Sequence, residues 1–194
     1  MARELDVTLA RHAADGDREA QRELFHAQRR AVHHTLYRIL GSNLELEDPL
    51  QDAFVEIFRA LRSFRGDSSL TTWCRTIATR TAYLALSRRK PPAVDLALVA
   101  DVLAHDAAST DRVAYARDAI RRLYAALDRL DAKQRVAFAL FAVDGLSIAE
   151  VARLTESSRV AVKTRIWRAR RELFRRASSD PVLADYIAEL GGPR

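Results

Sequence analysis

The chain has 194 residues, 48% of them hydrophobic and 30% charged, with a formal net charge of +6. That suits one or two small globular domains, each with a real core, and 6 Gly and 5 Pro leave room for long helices. A single cysteine, Cys74, excludes an intrachain disulfide, and no apolar run approaches the roughly 20 residues of a membrane span.

The opening MARELDVTLARHAADGD is too polar for a secretory signal, so cytoplasm is the expected compartment. Ala, Leu and Arg dominate, and all three favour helices. No run alternates apolar and polar residues, so an all-α fold is expected.

In chain order, Gly16–Leu40 reads as a long amphipathic helix, with Leu24, Phe25, Ala31, Val32, Leu36, Ile39 and Leu40 on its apolar stripe. GSN at 41–43 is turn chemistry. A second helix runs from Glu45 to Leu61, with Pro49 in its first turn, where a missing N–H does little harm. Leu50, Phe54, Ile57, Phe58 and Leu61 share one face, and the acidic residues lie mostly off it. The loop FRGDSS at 64–69 precedes a third helix, Leu70 to Arg89, with Trp73, Ile77, Ala78 and Leu84 expected inward. RRK followed by two prolines at 91–92 stops it.

Residues 91–110 have weak periodicity and read as a linker, with room for a short helix near 95–104. A second helical unit follows, with helices at Asp111–Leu130 and Ala132–Val143. Gly145 is a stop, and Ser147 with Glu150 three residues on is a capping-box pattern. Residues 148–154, the turn TESS and residues 159–176 then give short helix, tight turn, long basic helix. The domain expectation is therefore 1–90, a linker 91–110, a second domain 111–177, and a tail 178–194 with room for a short helix after Asp-Pro at 180–181.

Charge is focused. Residues 63–90 carry net +5 and residues 156–176 net +6, whereas every other stretch is near neutral or acidic. Such blocks draw a polyanion. One block alone could be a solvated arginine-rich face. The second block, however, lies on the last helix of a helix-turn-helix pattern. There Val162, Ile166, Ala169 and Leu173 step by four, three and four, forming the buried side. Arg159, Lys163, Thr164, Trp167, Arg168, Arg170 and Arg171 are left to meet a major groove, where Arg and Lys read guanine and Thr is versatile.

Enzyme signatures are missing. The five histidines, His12, His26, His33, His34 and His105, lack the spacing of a zinc protease motif, and the sequence has no glycine-rich phosphate loop and no G-x-S-x-G. No cofactor, metal, small-molecule substrate or membrane insertion is expected.

LEDPLQDAFVEIFRAL, FRGDSSLTTWCRTIA, LDRLDAKQRVAFALFAVDGLSIAEVARL and VKTRIWRARREL, in this order and spacing, resemble the bacterial group IV (extracytoplasmic-function) sigma factors. The resemblance covers roughly residues 16–90 and 111–176. It implies a first domain that binds core RNA polymerase and opens the minus-ten element. It implies a second domain that binds the minus-thirty-five element as duplex, and it implies an anti-sigma partner.

Carried over by position, Glu47, Asp48, Gln51 and Asp52 fall on the polymerase-facing helix. Phe64, Arg65, Gly66, Asp67 and Ser68 fall on the loop that receives a flipped base, with Arg80, Arg88 and Arg89 beyond it on the minus-ten side. Arg159, Lys163, Thr164, Arg165, Trp167, Arg168 and Arg171 fall on the minus-thirty-five side. Trp73 reads as core.

Some positions depart from the family pattern. Arg80 replaces the usual Asn and Leu84 the usual Asp. Pro49 interrupts the acidic motif. Glu156 replaces a turn glycine, and Thr155 an apolar residue. They leave a second reading open, a degenerate sigma-like adaptor that binds partners without melting promoters.

Overall fold

The computed structural model describes residues 2–41, 46–88 and 110–189. All regular structure in them is helical, as expected. Arg89 and the proposed helix at 95–104 lie outside the described residues.

The first unit is α1 (Ala2–Ala14), α2 (Arg18–Leu40), α3 (Glu47–Ala60), a 3₁₀ turn at Leu61–Ser63, and α4 (Leu70–Arg88). Helix α1 was not expected. Its buried stripe includes Ala10 and Ala13, and alanines give little hydrophobic signal. Asp17 caps α2 by accepting from the Glu19 and Ala20 amides at 2.9 and 3.2 Å, which starts the helix two residues after the expected Gly16. Leu24, Val32, Leu36 and Ile39 are fully buried, and burial of each contributes about 1.5–3 kcal/mol. In α3, Pro49 sits where no amide bond is lost. Leu50 N–H makes the first intrahelical bond, to Leu46 at 2.8 Å.

On α4 the buried stripe is Leu70, Cys74, Ala78 and Ala82. Trp73 and Ile77 are half-buried, but Leu84, expected inward, is 43% exposed. Steps of four from Leu70 fix the stripe, and Leu84 falls beside it. Cys74 is fully buried, and that burial pushes its thiol pKa up to about 12.

The second unit is α5 (Thr110–Leu127), α6 (Ala132–Phe138) with a π turn at Ala139–Val143, α7 (Ile148–Leu154), α8 (Arg159–Ala177) and α9 (Pro181–Glu189). Residues 132–143, read as one regular helix, widen in their second half. There Asp144 N–H bonds Ala139 C=O at 2.9 Å, five residues back. The expected capping box is present, with Ser147 and Glu150 exchanging bonds. The short helix allowed for in the tail is α9, and it packs on α5 and α8 through Leu183 and Ile187.

The two units touch closely. Val136, Ala137, Leu140, Val151 and Leu154 belong to the same apolar cluster as the core of the first unit. The last four carbonyls of α2, which a helix cannot satisfy internally, all have partners. Gly41 N–H reaches Tyr37 C=O at 2.8 Å, and the Tyr124 hydroxyl donates to Arg38 C=O at 3.0 Å. Arg135 donates from Nε to Ile39 C=O at 2.9 Å and from Nη2 to Leu40 C=O at 2.8 Å. Its Nη1 pairs with Asp128. Arg135 is 2% exposed. Gly41 has φ 78°, and a Cβ there would sit 2.1 Å from the Tyr124 ring, so only glycine fits this junction.

Among the described residues Glu156 is the one non-glycine with positive φ, at 48°. It stands at the turn position where the sequence pattern favours glycine. Glu156→Gly is therefore expected to stabilise the chain by about 1 kcal/mol. Ser147→Ala is expected to destabilise it by about 1 kcal/mol through loss of the cap. Urea unfolding midpoints at constant slope check both, and equal midpoints for the two variants would contradict this account.

Candidate nucleic-acid interface

Helix α8 sorts its side chains as its spacing requires. Val162, Ile166, Ala169, Leu173 and Ala177 are buried. Arg159, Lys163, Thr164, Trp167, Arg168 and Arg171 are exposed, Trp167 at 58%. Ser158 caps the first turn by accepting from Ala161 N–H at 3.2 Å. The Arg171 guanidinium lies over the Trp167 ring, 5.6 Å from its centre, which stiffens both side chains. The Thr164 hydroxyl donates to Val160 C=O at 3.0 Å and keeps acceptor capacity outward. One side of α8 is thus packed and the other presents a strip of exposed cationic and polar side chains.

Arg165 is set apart from this strip. It is half-buried and donates to Ser157 Oγ at 2.8 Å. It lines a cleft of about 270 Å³ between the units, together with Thr76, Thr79, Arg80 and Tyr83 of α4 and Lys133, Leu154 and Glu156. Arg80 is exposed but faces this cleft, and Arg88 is exposed at the end of α4.

Glu47, Asp48, Gln51 and Asp52 are all exposed on the first turns of α3, opposite buried Ala53, Phe54 and Ile57. In the loop 64–69, Arg65 and Asp67 are exposed. Phe64 is turned inward at 9% exposure, with its ring 5.5 Å from that of Trp73. The loop is held from α1. Asp6 accepts from Leu70 N–H at 2.9 Å, which caps α4, and Val7 lies 2.8 Å from where a Gly66 Cβ would be. Asp6 and Val7 were missed by the sequence reading, because nothing local marks a residue that caps a helix 64 positions away.

Among the described residues no three His, Cys, Asp or Glu side chains are grouped to hold a metal, and no helix is long and apolar enough to cross a membrane.

Two family matches cover the two units. Residues 24–91 match sigma-70 region 2, and residues 120–173 match sigma-70 region 4. The chain is 31% identical over 173 residues to the ECF RNA polymerase sigma-E factor of Escherichia coli K12, spanning 85% of this chain and 90% of that one. It is 30% identical over 185 residues to the Haemophilus influenzae sigma-E factor, with 88% and 94% covered. Among solved structures, CnrH in complex with the cytosolic domain of CnrY aligns with a TM-score of 0.60 at 26% identity, over 90% of this chain and 98% of that one. The sigma factor RpoE, in complex with the anti-sigma factor NepR from Bartonella quintana, shares the fold with a TM-score of 0.52 at 20% identity, over 82% and 97%.

Fold and exposed helix together define a two-domain helix-turn-helix transcription factor. More particularly, the chain belongs to the extracytoplasmic-function family of RNA polymerase sigma factors, which act in transcription initiation and are not enzymes.

The end of α8 carries its own neutralising group. Glu172 accepts from Arg175 at 2.6 and 3.0 Å and from Arg176 at 2.6 Å, and these bonds, Arg175 first, hold its carboxyl down at about 2. A depressed carboxylate pKa stabilises the fold above the unfolded value and loses that contribution as pH falls through the folded one. The Glu172 contribution is therefore expected to fade between about pH 4.5 and 2. Carboxyl NMR titration of the chain checks this, and a Glu172 midpoint near 4.5 would mean the two arginines do not hold it in solution.

Proposed function

We propose that this sigma factor recognises promoters in two places: the first unit engages and melts the minus-ten element, and α8 reads the minus-thirty-five duplex. The observation that carries this reading is the exposed strip Lys163, Thr164, Trp167 and Arg168 on a helix whose other side is fully packed. Such a helix enters a major groove without rearrangement, with its early residues on base edges and later arginines on phosphates. In the first unit, exposed Arg65 and Asp67 flank the loop that would take an extruded base. Extrusion costs a few kcal/mol, which a fitted pocket offsets. Phe64 would then act as the floor of that loop rather than as a stacking surface.

The exposed acidic row Glu47, Asp48, Gln51 and Asp52 would dock on a basic surface of core RNA polymerase, where complementary charge speeds encounter. By analogy with the Bartonella quintana RpoE complex, an anti-sigma protein would control access to these surfaces. The adaptor alternative is not favoured. Similarity at 31% identity runs through both units, and the groove-facing strip keeps its cations despite the departures at Arg80 and Leu84.

Reconstitution with core polymerase tests the whole reading. Promoter-specific transcripts from a cognate template are expected, and polymerase binding without any such transcript would return the adaptor reading. Arg168→Ala is expected to weaken minus-thirty-five duplex binding by about 1–3 kcal/mol with unchanged melting temperature. Unchanged affinity would place a different face of α8 in the groove. Asp52→Lys is expected to slow association with core polymerase several-fold, more at low than at high salt. A salt-independent effect would remove the electrostatic part of the docking argument.

A further inference from the structure

Three cations from three helices converge on the cleft between the units: Arg80 of α4, Lys133 of α6 and Arg165 of α8. Like charges gathered in one place repel unless a group of opposite sign sits among them. Other arginines of the chain have such a group, as Arg75 has Asp144 and Arg176 has Glu172. Arg80, Lys133 and Arg165 make no ion pair among the described residues, although Glu156 lines the same cleft.

The rest of the lining sorts by hydrogen-bonding capacity. The Thr76 and Thr79 hydroxyls donate to Thr72 C=O at 3.1 Å and to Arg75 C=O at 2.8 Å, so toward the cleft they can only accept. The Glu156 carboxylate also only accepts. Arg165 gives one N–H to Ser157 at 2.8 Å and keeps its remaining donors. Val136 and Leu154 add an apolar wall, and the half-buried Tyr83 lines the cleft beside them.

A bare anion would suit the cations but not Glu156. A ligand with a phosphate end and a donor-bearing end suits both. The cleft holds about 270 Å³, close to the lower bound of about 300 Å³ for small-molecule sites. That space takes one ligand of mononucleotide size and no double helix. Glu156 also holds φ 48°, and a strained residue kept at the edge of a cleft is accounted for by a binding role.

We propose that this cleft binds a nucleoside diphosphate or a ligand of the same chemistry. Arg80, Lys133 and Arg165 take the phosphates. Glu156, Thr76 and Thr79 accept from the sugar hydroxyls, and the base lies against Tyr83 and Leu154. The site is separate from the exposed strip on α8. Its lining comes from α4 of the first unit and from the second unit, so bound ligand ties the two together and stabilises the fold as its concentration rises.

The test uses the full chain, with calorimetric titration and thermal melting. ADP and GDP are the probes, and pyrophosphate, adenosine and a short single-stranded oligonucleotide are the comparators. One nucleotide per chain is expected, with a melting temperature that climbs with ligand. Its affinity is expected to exceed that of pyrophosphate or adenosine about tenfold. Lys133→Gln and Arg165→Gln are each expected to weaken the nucleotide about tenfold. Lys133 is exposed, so its variant keeps the fold and carries the test should Arg165→Gln unfold. Glu156→Gln is expected to weaken the nucleotide about threefold yet strengthen pyrophosphate, a reversal that a folding defect does not produce.

No saturable binding at millimolar nucleotide would overturn the site. Binding untouched by Lys133→Gln and Arg165→Gln would place the ligand elsewhere on the chain and overturn it too. Pyrophosphate equal to the nucleotide in affinity would reduce the cleft to a simple anion site. Tighter binding of the oligonucleotide, lost in the same variants, would give these cations to nucleic acid instead. Neither polymerase nor promoter enters these measurements, so their outcome is independent of the initiation reading.

Discussion

The arrangement depends on how the C-terminus of α2 is finished. A helix leaves its final carbonyls without internal partners, and burying them unsatisfied would be costly. Here one is met by Gly41 of the same chain segment, and the other three are met from the second unit, by a tyrosine hydroxyl and a guanidinium. The exchange is reciprocal. Arg135 could not be buried without those carbonyls and Asp128, since a stranded interior charge costs about 3–5 kcal/mol. Gly41 belongs to the same bargain, because any side chain there would collide with Tyr124. The junction is thus specified in direction and register, which apolar contact alone does not do.

Away from that junction, the proposed contact surfaces lie on helices whose opposite faces are packed. In α8 the division between a buried stripe and a cationic strip is nearly complete, so geometry rather than flexibility delivers the charges. In α3 the acidic row has the same relation to Ala53, Phe54 and Ile57. In the proposed reading, opposite charge signs on separate helices would let one small chain face both a basic protein surface and a polyanion.

Much of this was legible in the sequence because it is local. Helix spacing gave the α8 stripe, Ser147 with Glu150 gave a cap, and the second charge block gave the basic face of α8. The misses share a cause, which is dependence on distant partners. Helix α1 is held by small alanines and by Asp6 on the start of α4. Leu84 follows the helix stripe loosely and ends outside it. Arg135 looks like any surface arginine until α2 is brought against it. The π turn before Asp144 leaves the apolar pattern almost unchanged while moving a carboxylate into reach of Arg75. Arg165 shares its helix with the groove-facing cations but lies on the flank, where Ser157 holds it.

The lone thiol of the chain has a bearing on signalling. Cys74 is sealed inside the first unit, and its proton is retained to about pH 12. Thiolate is the form that attacks peroxides and disulfides, and almost none of it exists here at neutral pH. Oxidative stress therefore finds no sulfhydryl sensor on this polypeptide while it stays folded.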